Sequence, residues 1–389
     1  MGLNLLFIVS GTLITGAANS LLTKFQDNQC VRNCSFNNNN LQEGTKPEYF
    51  NQPGIQTLQM FLGELLIYFV YLIYRYNKIK NNQIESNNNE ISWYSNLKLA
   101  IPAICDLSCT TLLNIGLIYI PVSIYQMTRG SVVLFVAIFS TIFLKRKISN
   151  FKWLSLIFVT LGVCIVGLSG SSKSGGEEGQ KDIKMIIFGI CLVIGATSLQ
   201  GIQFVVEENI LEKNPIIPLQ LVYIEGLFGS LILISLMILL NFIFKFKLTQ
   251  EEFLNSPFNL YESFYQLISN KIILGTSFLI MLSISSFNYF GLSITHQVSA
   301  TARSTIDTCR TLLVWLIALI IGWESFKFLQ LIGFIILVFG TLCFNDVITV
   351  EQFNWLPNWL KENDKISNLE DEESRNLIDE EIEERLIGK

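Results

Sequence analysis

One histidine, His296, serves the whole chain. HExxH and every other site built on several histidines are thereby excluded. No GxxxxGK[ST] loop occurs, so the chain carries no ATP-hydrolysing machinery and no cofactor motif. Charge is scarce, at 15% of residues against about 25% in a soluble domain. The net charge of −5 belongs to the C-terminal stretch: from Lys361 onward there are eleven acidic and five basic residues. Nothing in this balance suits nucleic acid. The eight cysteines are scattered, and six lie in or beside apolar runs, where Cys acts as a small hydrophobe. Cys105 and Cys109 sit one helical turn apart with no further ligand nearby, so no metal site is expected. Cys30 and Cys34 share one loop and are candidates for a disulfide if that loop faces an oxidising compartment. Asp106 and Asp307 lack the Gly-x-Gly-Asp or Tyr-Asp context of an intramembrane protease. We read the chain as no enzyme.

What the sequence has is apolar length. Half of its residues are hydrophobic, and they come in blocks of about 20, enough to cross the hydrocarbon of a bilayer. The N-terminal run lacks the basic region of a signal peptide and is long enough to span, so it reads as a retained membrane helix. Ten spans can be drawn: 3–24, 55–75, 97–120, 122–144, 151–169, 184–205, 216–244, 271–294, 298–321 and 326–347. The expected fold is an all-α polytopic membrane protein. Lys152-Trp153-Leu154-Ser155-Leu156-Ile157 opens the fifth span, and Lys327-Phe328-Leu329-Gln330-Leu331-Ile332 opens the tenth. The ten helices then form two inverted five-helix repeats, because an odd number of spans reverses the second half. The domains expected are a first repeat over 1–169, a linker over 170–183, a second repeat over 184–347 and an acidic tail over 348–389.

Basic residues orient the chain. Arg75, Lys78 and Lys80 follow the second span, and Lys145, Arg146, Lys147 and Lys152 separate the fourth and fifth. Both loops fall on one side, which is cytosolic by the positive-inside rule, and both termini join it. The opposite side then holds Asn33-Cys34-Ser35, an N-glycosylation sequon at Asn33.

Membrane-embedded charge costs about 2.5 kcal/mol or more per residue, so each instance needs partners, water or a solute. Arg303, Asp307 and Arg310 stand at i, i+4 and i+7 and form one stripe on a helix. Glu64, Asp106, Arg129 and Glu225 lie within other spans. Gln126 shares a helical face with Arg129, and Asn288 is deep in the eighth span. On one reading these residues line a cavity, with the guanidiniums taking an anionic or zwitterionic solute. On the other they pair as structural glue: Arg303 with Asp307, Asp307 with Arg310, Arg129 with Asp106. Glu64 and Glu225 are also candidates for a proton-coupling carboxylate.

Several residue groups resemble the drug/metabolite transporter superfamily, and within it solute carrier family 35, the nucleotide-sugar-transporter-like family. They are Thr15-Gly16 with Asn19, Met60 to Glu64, Cys105-Asp106, Gln126-Met127 with Arg129-Gly130, Glu207-Glu208, Glu225 to Gly229, Phe287-Asn288, Ser299 to Thr301 with Arg303, and Arg310 through Glu324. The resemblance covers nearly all ten spans. It implies ten helices, inverted repeats and alternating access. The Gly-Ala-Leu-Asn-Lys type of motif seen in better-understood nucleotide-sugar carriers is absent, and the chain also has the look of vacuolar carriers for cations, peptides or amino acids.

The tail carries Glu373-Ser374-Arg375-Asn376-Leu377-Ile378, which fits the acidic dileucine pattern read by cytosolic sorting adaptors; Glu373, Leu377 and Ile378 are its defining residues. Together with the resemblance it points to a lysosomal or endosomal membrane. The expected function is secondary transport of a small polar or anionic solute across that bilayer. The alternative is a non-transporting scaffold that acts through its tail.

Overall fold

A computed structural model of the chain describes residues 2–32, 48–80, 99–120, 122–170, 177–214, 216–247, 249–250, 258–323 and 328–345, with Phe253, Ser256 and Ile348. The sequon at Asn33, Cys34 and the tail motif of Glu373, Leu377 and Ile378 lie outside these residues. Cys30 is disulfide-bonded.

The described chain is helical apart from one small hairpin-like pair. Its elements are α1 (Gly2–Asp27), β1 (Cys30–Arg32), β2 (Glu48–Tyr49), α2 (Pro53–Lys80), α3 (Ala100–Tyr119), α4 (Val122–Arg129), α5 (Val132–Phe143), α6 (Asn150–Gly170), α7 (Glu177–Lys213), α8 (Pro218–Lys247), α9 (Leu260–Ser269), α10 (Lys271–Gln297), α11 (Ala300–Ile321) and α12 (Phe328–Phe344). β1 and β2 pair antiparallel, Cys30 opposite Tyr49. Among the described residues, eight helices are long and apolar enough to cross a membrane, counting Ile124–Phe143 as one, and Asn150–Val166 and Phe328–Phe344 are shorter apolar helices. Large apolar side chains stand exposed along them, among them Leu231, Ile238 and Phe242 on α8. That is the pattern of a surface whose solvent is lipid.

Two details differ from the sequence reading. The expected fourth span is broken at Gly130 and Ser131. There the N–H of Gly130 bonds Met127 O at 3.0 Å and that of Ser131 bonds Thr128 O at 3.0 Å, a tighter i to i−3 turn. α7 also runs well past the expected end at 205, to Lys213.

The chain folds into two compact units. One holds α4 to α7, α11 and α12, with the start of α1, α3 from Ser108 and α10 from Gly291. The other holds α2, α8 and α9, with the rest of α1, α3 and α10. Each draws helices from both halves of the sequence.

In the first unit the core gathers Val132, Val133, Val136 and Ala137 of α5 against Leu156, Phe204, Val205, Ala300 and Phe344. Its tightest seam joins α6 and α12. A Cβ on Gly162 would lie 2.7 Å from both Gly333 O and Leu337 N, and one on Gly340 would lie 2.8 Å from Ser155 O and Val159 N. Positions rising along α6 meet positions falling along α12, so the two helices pack antiparallel, backbone to backbone. Gly162→Val should cost about 3 kcal/mol by overpacking, read as a lower melting temperature in detergent. Gly275 meets nothing within 4 Å of a Cβ, and Gly275→Ala should produce no loss.

α11 has well-defined ends. The Ser299 hydroxyl accepts from Ala302 N at 3.1 Å. Gly322 closes the helix in the left-handed region at φ 81, and Trp323 N returns to Ala318 O at 2.9 Å. A β-carbon would be strained at that φ, which accounts for glycine there.

In the second unit Phe61 and Leu58 of α2, Leu107 of α3 and Leu233 of α8 form one cluster. Phe50, Ile55 and Ile273 form another near β1. Gly226 of α8 lies so close to α2 that a Cβ there would be 2.5 Å from Leu65 N.

Candidate functional site

The stripe on α11 sits in the first unit. Arg303, Asp307 and Arg310 are all buried. Arg310 Nε donates to Asp307 Oδ1 at 2.7 Å, one of the two intrahelical pairs the spacing suggested. The other does not form. Arg303 instead donates through Nη1 to Glu207 Oε2 on α7. Glu207 also accepts from Gln203 Nε2 at 2.8 Å. The Arg303 guanidinium lies over the Phe204 ring at 4.0 Å, and a Cβ on Gly291 would come within 2.8 Å of its Nε. Arg303 is thus clamped by an ion pair, a ring face and a bare backbone. Its partner was overlooked because the sixth span was ended at 205, which left Glu207 in a loop. Extending the sixth span by one helical turn would have brought Glu207 into it.

Arg129 ends α4, at the break in the fourth span. The negative end of that half-helix favours a cation there. Its guanidinium lies 5.7 Å from the Tyr125 ring centroid, and it falls within the electrostatic reach of Asp307. Asp307 in turn feels Arg310, Arg129 and Arg303. Asp106, the partner the sequence suggested for Arg129, belongs to the second unit. Gln126 is buried one turn before Arg129. Gln126 Oε1, Arg129 Nε and Asp307 Oδ2 are buried without a hydrogen-bond partner in the protein. Among the described residues, Arg129, Arg303 and Arg310 face Glu207 and Asp307. The cluster keeps donors and acceptors unspent.

Beside Glu207 on α7, Arg146 bridges Glu208 at 2.8 Å and Glu212 at 2.9 Å. The preceding Lys145 adopts φ 54, where the chain leaves α5 ahead of α6.

The remaining predicted residues are in the second unit. Glu64 is buried on α2 and accepts from Asn288 Nδ2 on α10. Glu225 is buried on α8 beside Gly226, whose backbone presses on Glu64. Asp106 lies on α3 and is half-buried. Among the described residues no group of three or more His, Cys, Asp or Glu side chains is placed to hold a metal ion.

Residues 44–253 match a family model described as nucleotide-sugar transporter. The chain belongs to the nucleotide-sugar transporter family. The human protein named solute carrier family 35 member F6 is 32% identical over 344 residues, covering 87% of this chain and 88% of the relative. An uncharacterized protein of Schizosaccharomyces pombe is 36% identical over 337 residues, covering 86% and 96%. The human UDP-N-acetylglucosamine transporter is 26% identical over 216 residues, covering 53% and 62%. Family and relatives make this chain a multi-pass membrane transporter and not an enzyme. The match to nucleotide-sugar transporters stands despite the missing Gly-Ala-Leu-Asn-Lys type of motif.

Proposed function

We propose that the chain is a secondary transporter of a small anionic solute, and that its first contact with that solute is the cluster of Arg129, Asp307 and Arg310, with Gln126 beside them. The observation that carries this is the Arg129 guanidinium, half-buried at a broken helix with its Nε unpartnered in the protein. Discontinuous spans are a recurring way for transporters to present polar groups at membrane depth. Arg303 holds the cluster in place through Glu207. Glu64, Asn288 and Glu225, with Asp106, form a second polar set that serves the transport cycle.

The cycle proceeds by alternating access in ten helices arranged as two inverted five-helix repeats. The antiparallel seam between α6 and α12 supports the repeat. In the register that sets Lys152 on Lys327, Gly162 falls on Leu337, and those two residues touch. The contact is its own image under the repeat. Loop partners support the alternation of sides. Arg32 of β1, after α1, bridges Glu262 of α9, before α10, at 2.7 Å, and both connecting segments fall on the luminal side of a ten-span chain with cytosolic termini. The nucleotide-sugar relatives supply the first solutes to try: a nucleoside diphosphate sugar, or a related phosphate or carboxylate.

The test is a thermal-shift screen of the purified protein against nucleotides, nucleotide sugars, amino acids and other organic acids. A bound solute at a hundredfold its Kd should add about 2.7 kcal/mol of stability. Stabilisation by anionic solutes that is lost in Arg129→Gln supports the reading; stabilisation by cationic solutes alone overturns it.

The location we propose is the lysosomal or endosomal membrane, reached through adaptors that bind Glu373, Leu377 and Ile378. Leu377→Ala with Ile378→Ala should move the protein to the cell surface, read by surface biotinylation. A glycan lost in Asn33→Gln would support a luminal first loop.

A further inference from the structure

We propose that α9 is an interfacial anchor whose outer face is seated in the phospholipid headgroup boundary. Tyr261, Phe264, Tyr265 and Ile268 stand at i, i+3, i+4 and i+7, so they share one face. All four are exposed, Tyr261 at 79% and Ile268 at 64%. The opposite face is held by the protein. Glu262 bridges Arg32, the Ser263 hydroxyl donates to Gln52 Oε1 at 2.7 Å, and Gln266 accepts from Gln52 Nε2 at 3.2 Å. Leu267 packs on the cluster of Phe50, Ile55 and Ile273. These ties fix the helix's rotation. A helix lying against water turns its polar face outward, and α9 does the reverse.

Position names the occupant. Asn270 alone separates α9 from α10, and α10 is long and apolar enough to span. A helix of ten residues cannot itself cross about 30 Å of hydrocarbon. It therefore lies where α10 enters the membrane. The exposed apolar row continues onto α10 at Ile272 and Leu274, so one surface runs from the spanning helix to the short one. Tyrosines and a phenylalanine, amphipathic or flat, suit the interface rather than the acyl core. Behind Tyr265 a cleft of about 340 Å³ is lined by Lys271, Asn270 and Ser269 among others, which are polar groups at the depth expected of headgroups.

The test uses the full chain in phosphatidylcholine nanodiscs carrying one of two photoactivatable phosphatidylcholines. In one the diazirine is near the glycerol; in the other it is at the methyl end of the chain. Labelled sites are mapped by mass spectrometry. Residues 261–268 should take the shallow label about five-fold over the deep one, as an interfacial helix would, while Phe278 and Leu282 of α10 take the deep one. Tyr261→Asp with Ile268→Asp should remove most of the shallow labelling while leaving that of α10. An α9 labelled by neither probe while α10 is labelled overturns the proposal, and so does equal labelling by both. Cross-linking of α9 to a second copy in place of lipid overturns it as well.

Discussion

Arg303→Gln should leave little folded protein. The substitution strands Glu207, a fully buried carboxylate whose ion pair is with Arg303. Removing one partner of such a pair costs about 3–5 kcal/mol, because the other charge remains buried without compensation. Glu207→Gln strands the guanidinium and should cost a similar amount. The double replacement Arg303→Met with Glu207→Leu removes both charges, and its stability should recover most of that loss. Melting curves of detergent-purified protein, run as a double-mutant cycle, decide the matter. Two single losses that simply add in the double variant would show that the pair contributes nothing as a pair.

Arg129→Gln should behave in the opposite way. Arg129 is partly exposed at the end of a half-helix, not clamped as Arg303 is. Its loss should change the melting temperature by only a few degrees, yet take one charge-assisted hydrogen bond from the solute. That is worth about 1.5–3 kcal/mol, or roughly 10- to 150-fold in affinity. Flux into reconstituted vesicles should fall by at least that factor at low solute, and saturating solute should recover part of it. A variant that transports like the parent at every concentration would remove Arg129 from the site. The two arginines thus separate scaffold from solute contact within one charge cluster.

The apolar blocks were legible because a bilayer demands length, and length survives any error of a few residues at the ends. The charged stripe was legible for a related reason: charge is too costly in hydrocarbon to be incidental. What the stripe's spacing could not tell was which partner wins. Arg303 to Asp307 and Asp307 to Arg310 are equally good helical neighbours, and only packing against α7 takes Arg303 away to Glu207. The break at Gly130 and Ser131 was hidden because a small pair inside a span reads the same whether it packs or bends. α9 was missed because it is short and mixes Tyr with Glu, Ser and Gln, so it looks like loop until its two faces are separated.

The composition of the first unit has a consequence for how the chain is made. α7 enters the membrane carrying Glu207 before α11 exists, and the seam that α6 presents at Gly162 waits for α12. For that interval the nascent protein holds a buried acid with its cation still on the ribosome and a groove with no occupant. Such an intermediate would be a client for membrane chaperones, and a chain interrupted after α10 would keep both the acid and the groove exposed. Completion of the last two helices neutralises the acid and fills the groove in one step, so the end of synthesis also certifies the fold.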